Sequence, residues 1–134
     1  LPVAVGQKAT NQKNIIISLS AVNDFIASAQ TSAQSLENTK VNAAYVKANG
    51  MLFVAFSELS TTTTTNSANS RVSEYRALIL DDNSWADGVI NTSAVSYAMN
   101  PSDTGAYLDG LHPSETLNIR LGEEAFVTIK NLMM

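Results

Sequence analysis

The sequence predicts a mainly β fold, in which an antiparallel β-sandwich follows one N-terminal helix. Apolar side chains alternate in several short segments, and Gly, Asn, Asp and Pro residues separate these segments at near-regular spacing. The length of 134 residues is typical of a single domain. We expect an N-terminal segment and helix over residues 1–37, and the sandwich over residues 38–134.

The N-terminal helix is predicted from a repeat of apolar residues spaced alternately four and three positions apart. The stripe consists of Ile15, Leu19, Val22, Ile26, Ala29, Ala33 and Leu36. It either packs on the domain's own sheet, or continues from an upstream anchor or pairs with a partner helix. The β-branched run at residues 15–17 favours a strand, so residues 15–22 could instead begin as one. The helix is expected within about residues 18–38.

A β-hairpin is predicted around Asn49-Gly50, because this pair tolerates the positive φ angles of tight turns. Residues 41–45 alternate before the turn, and the apolar run Met51–Phe56 follows it. Since the second strand is apolar on both faces, we expect it to lie centrally or to be covered by the helix or another chain.

Further alternating segments complete the predicted sandwich, at residues 71–80, 94–99, 117–121 and 125–129. The polar tract from Ser60 to Ser70 is rich in threonine, which predicts a long solvated loop. If the protein is extracellular, the Thr61–Thr65 tract is a candidate for O-glycosylation, and Asn91 begins an N-glycosylation sequon.

Composition argues against several classes of function. The net charge is −4 and the basic residues are scattered, so we expect no nucleic-acid binding. The absence of cysteine excludes disulfides and zinc–thiolate sites. No apolar run is long enough to span a bilayer. The low charged fraction of 15% suits a surface outside the cytoplasm.

No catalytic constellation is evident from the sequence, and we expect the chain not to be an enzyme. The single histidine, His112, precedes a proline and is expected to be a turn or surface residue. The six glycines are too scattered for a phosphate-binding loop. Asp81, Asn83 and Asp87 present oxygens at the odd spacings of a calcium loop. The rest of that motif is missing, so we expect turn residues, no metal, no cofactor, and folding that does not depend on calcium.

The order of features resembles a known family. A Ser/Gln/Ala-rich helix precedes Leu36–Val41, then come the strand Gly50–Phe56 and the segment Leu111–Ile119. This order is similar to that of the soluble domains of the archaellum accessory proteins FlaF and FlaG, and more loosely to the heads of archaellins and archaeal type IV pilins. A Leu-x-Pro-Gly-Glu-like turn of that family reads Leu-His-Pro-Ser-Glu here, with Ser114 in the place of glycine.

The resemblance implies an immunoglobulin-like β-sandwich and a stator-like role in the archaeal motility machinery. It implies protein partners, namely S-layer protein or archaellum subunits, and a homo-oligomer or a hetero-oligomer with a related domain. The domain would lie between the cell membrane and the S-layer, held by an N-terminal anchor that this sequence lacks; its start at Leu1 looks like a cut in a longer protein or a processed end. The alternative is the globular head of a pilin-like or archaellin-like filament subunit, or a viral surface protein.

The candidate interface lies in the predicted strand at residues 71–80. Alternation puts Tyr75 and Ile79 on the core side of this strand and leaves three aliphatic side chains on the other side. These candidate interface residues are Val72, Leu78 and Leu80. Two explanations stay open, because this face either binds another subunit or is covered by the N-terminal helix.

Overall fold

Helices and short strands alternate along the chain. The computed structural model describes residues 6, 9, 12–19, 21–27, 30–62 and 66–134. The elements in these ranges are β1 (Ile15–Ser18), α1 (Ala21–Ala27), α2 (Ser32–Ala48), β2 (Leu52–Phe56), α3 (Asn66–Asp81), β3 (Gly88–Ile90), a 3₁₀ turn (Thr92–Ala94) and α4 (Glu115–Met133).

The three strands form one parallel sheet in the order β1-β2-β3. Ile16 is paired with Phe53, and Val54 is paired with Gly88. Parallel neighbours require crossover connections, which α1 and α2 provide between β1 and β2, and α3 between β2 and β3. The fold is therefore α/β, and the predicted immunoglobulin-like antiparallel β-sandwich is wrong.

The strand predicted at residues 51–56 is present, and its central position is confirmed. β2 lies between the other two strands, and Phe53, Val54 and Ala55 are buried. The hairpin predicted before it is wrong, because residues 41–45 belong to α2. Gly50 has a φ of 69° just after the end of α2, so the Asn-Gly signal marks the end of a helix rather than a hairpin turn.

The helices lie on both faces of the sheet. Val89 packs in one cluster with Ala43 and Val46 of α2, whereas Gly88 faces Thr128 and Leu132 of α4. Successive residues of a strand point to opposite faces. Hence α2 covers one face, with α3 packed on it and α1 packed on α3, and α4 covers the other.

The buried face of α2 is partly polar, which explains why alternation was mistaken for a strand there. Ser32, Thr39, Ala43 and Val46 are buried at helical spacing. Thr39 Oγ1 and the Tyr75 hydroxyl are 2.8 Å apart and hydrogen-bonded. A threonine or serine whose hydroxyl is hydrogen-bonded can be buried in the core. Hydropathy alone therefore does not reveal the buried face of α2.

The strands predicted at residues 71–80, 117–121 and 125–129 are also wrong, since the first segment lies in α3 and the other two lie in α4. In α3 the buried Val72, Tyr75 and Ile79 follow spacings of three and four. Ser114 caps α4, because its side chain accepts a hydrogen bond from the amide of Leu117 at 3.3 Å. The strand predicted at residues 94–99 is replaced by the end of the 3₁₀ turn and further turns.

The predicted N-terminal helix is divided. Its first residues form β1, as the alternative reading of residues 15–22 allowed. α1 begins at Ala21, and a second helix begins after Thr31, which forms a capping box with Gln34. Ala29, one residue of the predicted stripe, lies outside the described residues, as do Leu1 and residues 63–65 of the threonine tract. The tract is not loop throughout, because α3 already begins at Asn66.

Candidate active site

A cleft opens at the carboxyl ends of β1 and β2. Its volume is about 250 Å³, and three segments line it: the residues after β1, the residues after β2, and a loop before α4. Its lining combines the apolar Leu19, Val22, Leu59, Leu111 and Pro113 with the polar Asn23, Glu58, Ser60, Thr61 and His112. Ligands of open α/β sheets bind at this end of the strands, and apolar walls with a few polar groups are typical of small-molecule sites.

The loop before α4 is held in shape by its backbone. Tyr107 forms an antiparallel bridge with Pro113, and the turn between them includes Gly110 at a φ of 77°. This positive φ favours glycine. The Thr62 amide donates a hydrogen bond to the Gly110 carbonyl oxygen at 2.9 Å, which ties the loop to the segment after β2.

Asp109 and His112 form a hydrogen-bonded pair in this loop. Asp109 Oδ2 lies 2.7 Å from His112 Nδ1. Asp109 Oδ1 accepts hydrogen bonds from the amides of His112 at 2.8 Å and Leu111 at 3.0 Å. These bonds, led by the one from the His112 amide, favour the carboxylate and lower the pKa of Asp109 to about 2. The aspartate is therefore ionised and held in place at neutral pH.

The contact with Asp109 determines which ring nitrogen of His112 can act as a hydrogen-bond acceptor. An ionised carboxylate can only accept, so Nδ1 of the neutral imidazole carries the proton and Nε2 is an acceptor. Within the described part of the chain, no hydrogen bond occupies His112 Nε2. Both side chains of the pair are exposed at the edge of the cleft, so the imidazole can take a proton from a water molecule or a hydroxyl group.

Asn23 contributes an amide to the same cleft. It lies in the first turn of α1, directly after β1, and its side chain is exposed. No hydrogen bond to another described residue occupies this side-chain amide. Its NH₂ group is thus available as a donor to a ligand oxygen.

Glu58 lines the cleft in an unusual backbone conformation. Its φ is 72°, and only 3% of the residue is exposed. Its carbonyl oxygen accepts hydrogen bonds from Arg76 Nε at 3.0 Å and Thr92 Oγ1 at 2.6 Å. Glu58 Oε2 accepts from the Ala21 amide at 3.0 Å, at the start of α1. Burial raises the pKa of Glu58, although the amide hydrogen bonds and the Arg76 charge act in the opposite direction. A bulky residue with positive φ marks a strained position, as is common at functional sites.

The candidate interface residues lie on α3 and are not among the residues that line the cleft. Val72 is buried and packs in one cluster with Phe25 of α1 and Leu36 of α2. Leu78 is partly buried against that cluster, and Leu80 is half-buried. Their role in binding another subunit stays a prediction.

The calcium candidates have other partners or point outward. Asp87 Oδ2 accepts the Phe53 amide at 2.8 Å, and Asp87 Oδ1 lies 3.7 Å from Lys47 Nζ. Asp81 and Asn83 are exposed. Among the described residues, no group of three or more histidine or acidic side chains could hold a metal ion. Folding that does not depend on metal stays a prediction.

The sequence analysis missed three residues of the candidate site, namely Asn23 and Glu58, which line the cleft, and Asp109, which contacts His112. Asp109 was interpreted only as a turn residue, and Asn23 and Glu58 were not singled out. The available signal was the Asp109-x-x-His112 spacing, since an aspartate three residues before the only histidine can reach its ring. Asn23 and Glu58 could be recognised only once the strands before them were known to be parallel, because only then do their carboxyl ends share an edge.

No protein-family model, curated protein or solved structure matches this chain. The relationship to FlaF and FlaG, and the partners, oligomeric state and localisation that it implied, therefore stay predictions. Glycosylation does as well; the Asn91 side chain accepts a hydrogen bond from the Ser93 amide at 3.0 Å. Of the described helices, none has both the length and the apolarity needed to cross a membrane.

Proposed function

We propose that the chain is a hydrolase. Its active site cleaves a small ester or a similarly reactive acyl bond. His112 acts as the general base, Asp109 orients it, and Asn23 donates a hydrogen bond to the acyl oxygen. The proposal is carried by one observation, the 2.7 Å contact between Asp109 Oδ2 and His112 Nδ1 at the edge of the cleft. It replaces our expectation from sequence that the chain is not an enzyme.

The pair supports general-base chemistry through its geometry. Three hydrogen bonds hold the Asp109 carboxylate, and this carboxylate fixes the tautomer and orientation of the imidazole. His112 Nε2 removes the proton of an attacking O–H group while its oxygen bonds to the carbonyl carbon. Asp109 stabilises the imidazolium that forms.

Asn23 supports the second part of the reaction. The attack gives a tetrahedral intermediate with a negative oxygen, which a hydrogen bond from the Asn23 side-chain amide stabilises. When the intermediate collapses, the bond from carbon to the leaving oxygen breaks, and the imidazolium returns its proton to that oxygen. If water attacks, the products are a carboxylic acid and an alcohol. If a protein hydroxyl attacks, the alcohol leaves and the hydroxyl is acylated, and a water molecule then cleaves this ester by the same steps to release the acid.

The size of the cleft favours a short acyl group. Its volume of about 250 Å³ lies near the lower end of small-molecule sites, which begin at roughly 300 Å³. Its apolar lining, which includes Leu19, Val22 and Leu111, suits a hydrocarbon chain. The substrate class is thus an ester with a small acyl part.

The attacking group is a water molecule or a hydroxyl brought to His112 Nε2. Ser60 and Thr61 are the described hydroxyl side chains that line the cleft. Ser60 Oγ already accepts a hydrogen bond from Arg76 Nη2 at 3.0 Å. A fluorophosphonate reagent followed by peptide mapping distinguishes the two cases, because only a protein hydroxyl that attacks its phosphorus becomes labelled.

Hydrolysis of p-nitrophenyl acetate tests the proposal. We expect saturable hydrolysis by the unmodified protein, and a loss of about 10²- to 10⁴-fold in kcat/KM for His112→Asn. Asp109→Asn should also lower the rate by at least about tenfold, because it changes the hydrogen bond to Nδ1. The matched control is Asp103→Asn, since Asp103 also accepts a turn amide, that of Gly105 at 2.8 Å, but has no histidine partner.

The control variant should keep the full rate. A rate no higher than that of free imidazole at equal concentration, or equal rates for His112→Asn and the unmodified protein, would contradict the proposal. Circular dichroism of each variant separates lost chemistry from lost folding.

A further inference from the structure

Glu58 holds the start of α1 against the rest of the cleft. Its carboxylate accepts the Ala21 amide at 3.0 Å, two residues before Asn23. Amides of a first helical turn have no partner within the helix. A carboxylate that accepts one of them fixes both the position and the rotation of that turn.

The main chain of Glu58 is also held by hydrogen bonds. Arg76 of α3 and Thr92 of the 3₁₀ turn both donate hydrogen bonds to its carbonyl oxygen. The residue keeps a φ of 72° that non-glycine residues rarely adopt. Such a conformation persists when its surroundings determine it, and here it directs the side chain of a residue that follows β2 towards α1.

From these contacts we infer that Glu58 is a positioning residue that acts through Asn23. It joins α3, the 3₁₀ turn and α1, and thereby sets where the Asn23 amide stands relative to His112. The inference rests on the proposed function, because it names the residue that orients the proposed donor. Glu58 itself need not touch the substrate.

The kinetic test is a double-mutant cycle with p-nitrophenyl acetate. Both carboxyl oxygens of Glu58 accept amides, Oε2 from Ala21 and Oε1 from Leu59 at 3.4 Å. Glu58→Gln keeps the shape of the side chain but replaces one of these two acceptors with an NH₂ group. We expect kcat to fall about tenfold to a hundredfold with KM changed less than about twofold, because a displaced donor acts mainly on the transition state. In an Asn23→Ala background, the same substitution should change kcat less than about twofold, because Glu58 would have nothing left to position.

The matched control is Glu74→Gln. Glu74 Oε2 accepts a hydrogen bond from Ser32 Oγ at 2.8 Å, at the start of α2, so it also holds a helix start but lies outside the lining of the cleft. This variant should keep kcat. A fall in kcat for Glu58→Gln that is equally large with and without Asn23 would overturn the inference, as would an unchanged kcat.

Amide hydrogen exchange followed by NMR tests the same contact without any enzymatic assay. In the unmodified protein, the Ala21 amide should be protected by its bond to Glu58. In Glu58→Gln its exchange should speed up about tenfold, and the side-chain NH₂ signals of Asn23 should shift. Fast exchange of Ala21 in the unmodified protein would overturn the inference even if Glu58→Gln fails to fold. Protection of Ala21 in an inactive protein would instead leave Glu58 as the anchor of α1 and reject only the proposed function.

Discussion

The helical layer (α1, α2 and α3) and the site segment (residues 91–114) are held together in different ways. In the helical layer, apolar side chains from all three helices form one buried cluster, which includes Phe25, Leu36 and Ile79. The site segment is largely irregular. Its buried Val95, Ala106 and Tyr107 form a separate apolar cluster with Leu117 and Leu121 of α4, and single hydrogen bonds hold its turns. Ser114 Oγ donates to the Gly105 carbonyl oxygen at 2.7 Å, and the buried Tyr107 hydroxyl donates to that of Ala98.

This difference separates the stability of the helical layer from the shape of the cleft. Burial of apolar area is not directional, so the helical layer tolerates small shifts but loses stability when volume is removed. Hydrogen bonds are directional, so the site segment loses its shape when one partner is removed. Functional side chains on loops need a rigid scaffold behind them, and the cleft draws on both regions.

The largest expected effect is the removal of volume from the helical layer. Ile79 has 0% of its surface exposed, and Ile79→Ala should lower the free energy of unfolding by about 2–5 kcal/mol. Urea denaturation measures this change. Ile119→Ala is the control, because Ile119 is 57% exposed and its loss should change stability by less than about 0.5 kcal/mol. Equal effects at the two positions would refute the described packing.

A second prediction concerns the other face of the sheet. A Cβ on Gly88 would lie 2.9 Å from Thr128 Cγ2 and 3.2 Å from Leu132 Cδ1. Gly88→Ala should therefore destabilise the protein by about 1–3 kcal/mol, through overpacking between β3 and α4. Thermal unfolding measures the loss, and Thr128→Ser should recover part of it by removing Cγ2.

Gly122 provides the control for Gly88→Ala, because the same substitution at Gly122 should raise the stability instead of lowering it. It lies within α4, and a Cβ there would meet no atom within 4 Å. Gly122→Ala should stabilise the helix by about 0.5–1 kcal/mol, because alanine has less backbone freedom to lose. If both alanine variants are stabilised, α4 does not pack on Gly88 as described.

A third prediction tests whether one hydrogen bond shapes the site segment. Tyr107 is 1% exposed and its hydroxyl donates to the Ala98 carbonyl oxygen. Tyr107→Phe keeps the ring but leaves that buried oxygen without its donor, which should cost about 1–3 kcal/mol. Chemical denaturation gives the loss, and Tyr97→Phe, at a tyrosine that is 65% exposed, should change little. A neutral Tyr107→Phe would mean that the apolar cluster around Tyr107 holds this segment without the hydrogen bond.

The smallest expected effect is the pH dependence of the Asp109 contact. The pKa of Asp109 is lowered from 3.8 to about 2 in the folded protein. A lowered folded-state pKa gives stability that is present above the unfolded value and is lost as pH falls through the folded one. The unfolding midpoint of the unmodified protein should thus fall relative to that of Asp109→Asn as pH decreases from about 4 to 2. A difference that stays constant over this range would contradict the contact.

The sequence predicted local features better than the fold they build. The apolar run at residues 51–56 is the central strand, and the β-branched Ile15–Ile17 begin a strand, as one interpretation allowed. Alternation failed at residues 117–121, where Leu117 and Leu121 are buried one helical turn apart and Ile119 is exposed. Short apolar patterns of this kind fit both periods, and Ser114 was not recognised from the sequence as the cap of a helix.

The sequence by itself determined composition, charge, the central strand, the turn at Asp109-Gly110 and the Asp109-x-x-His112 spacing. Tertiary structure decided how the strands pair, and the parallel pairing in turn determines that the fold is α/β. It also decided that Thr39 is buried, because its hydroxyl meets that of Tyr75. The cleft was decided in the same way. The parallel strands bring Asn23 and Glu58 to one edge of the sheet, and the hydrogen bond from the Thr62 amide to the Gly110 carbonyl oxygen ties the loop with His112 to that edge.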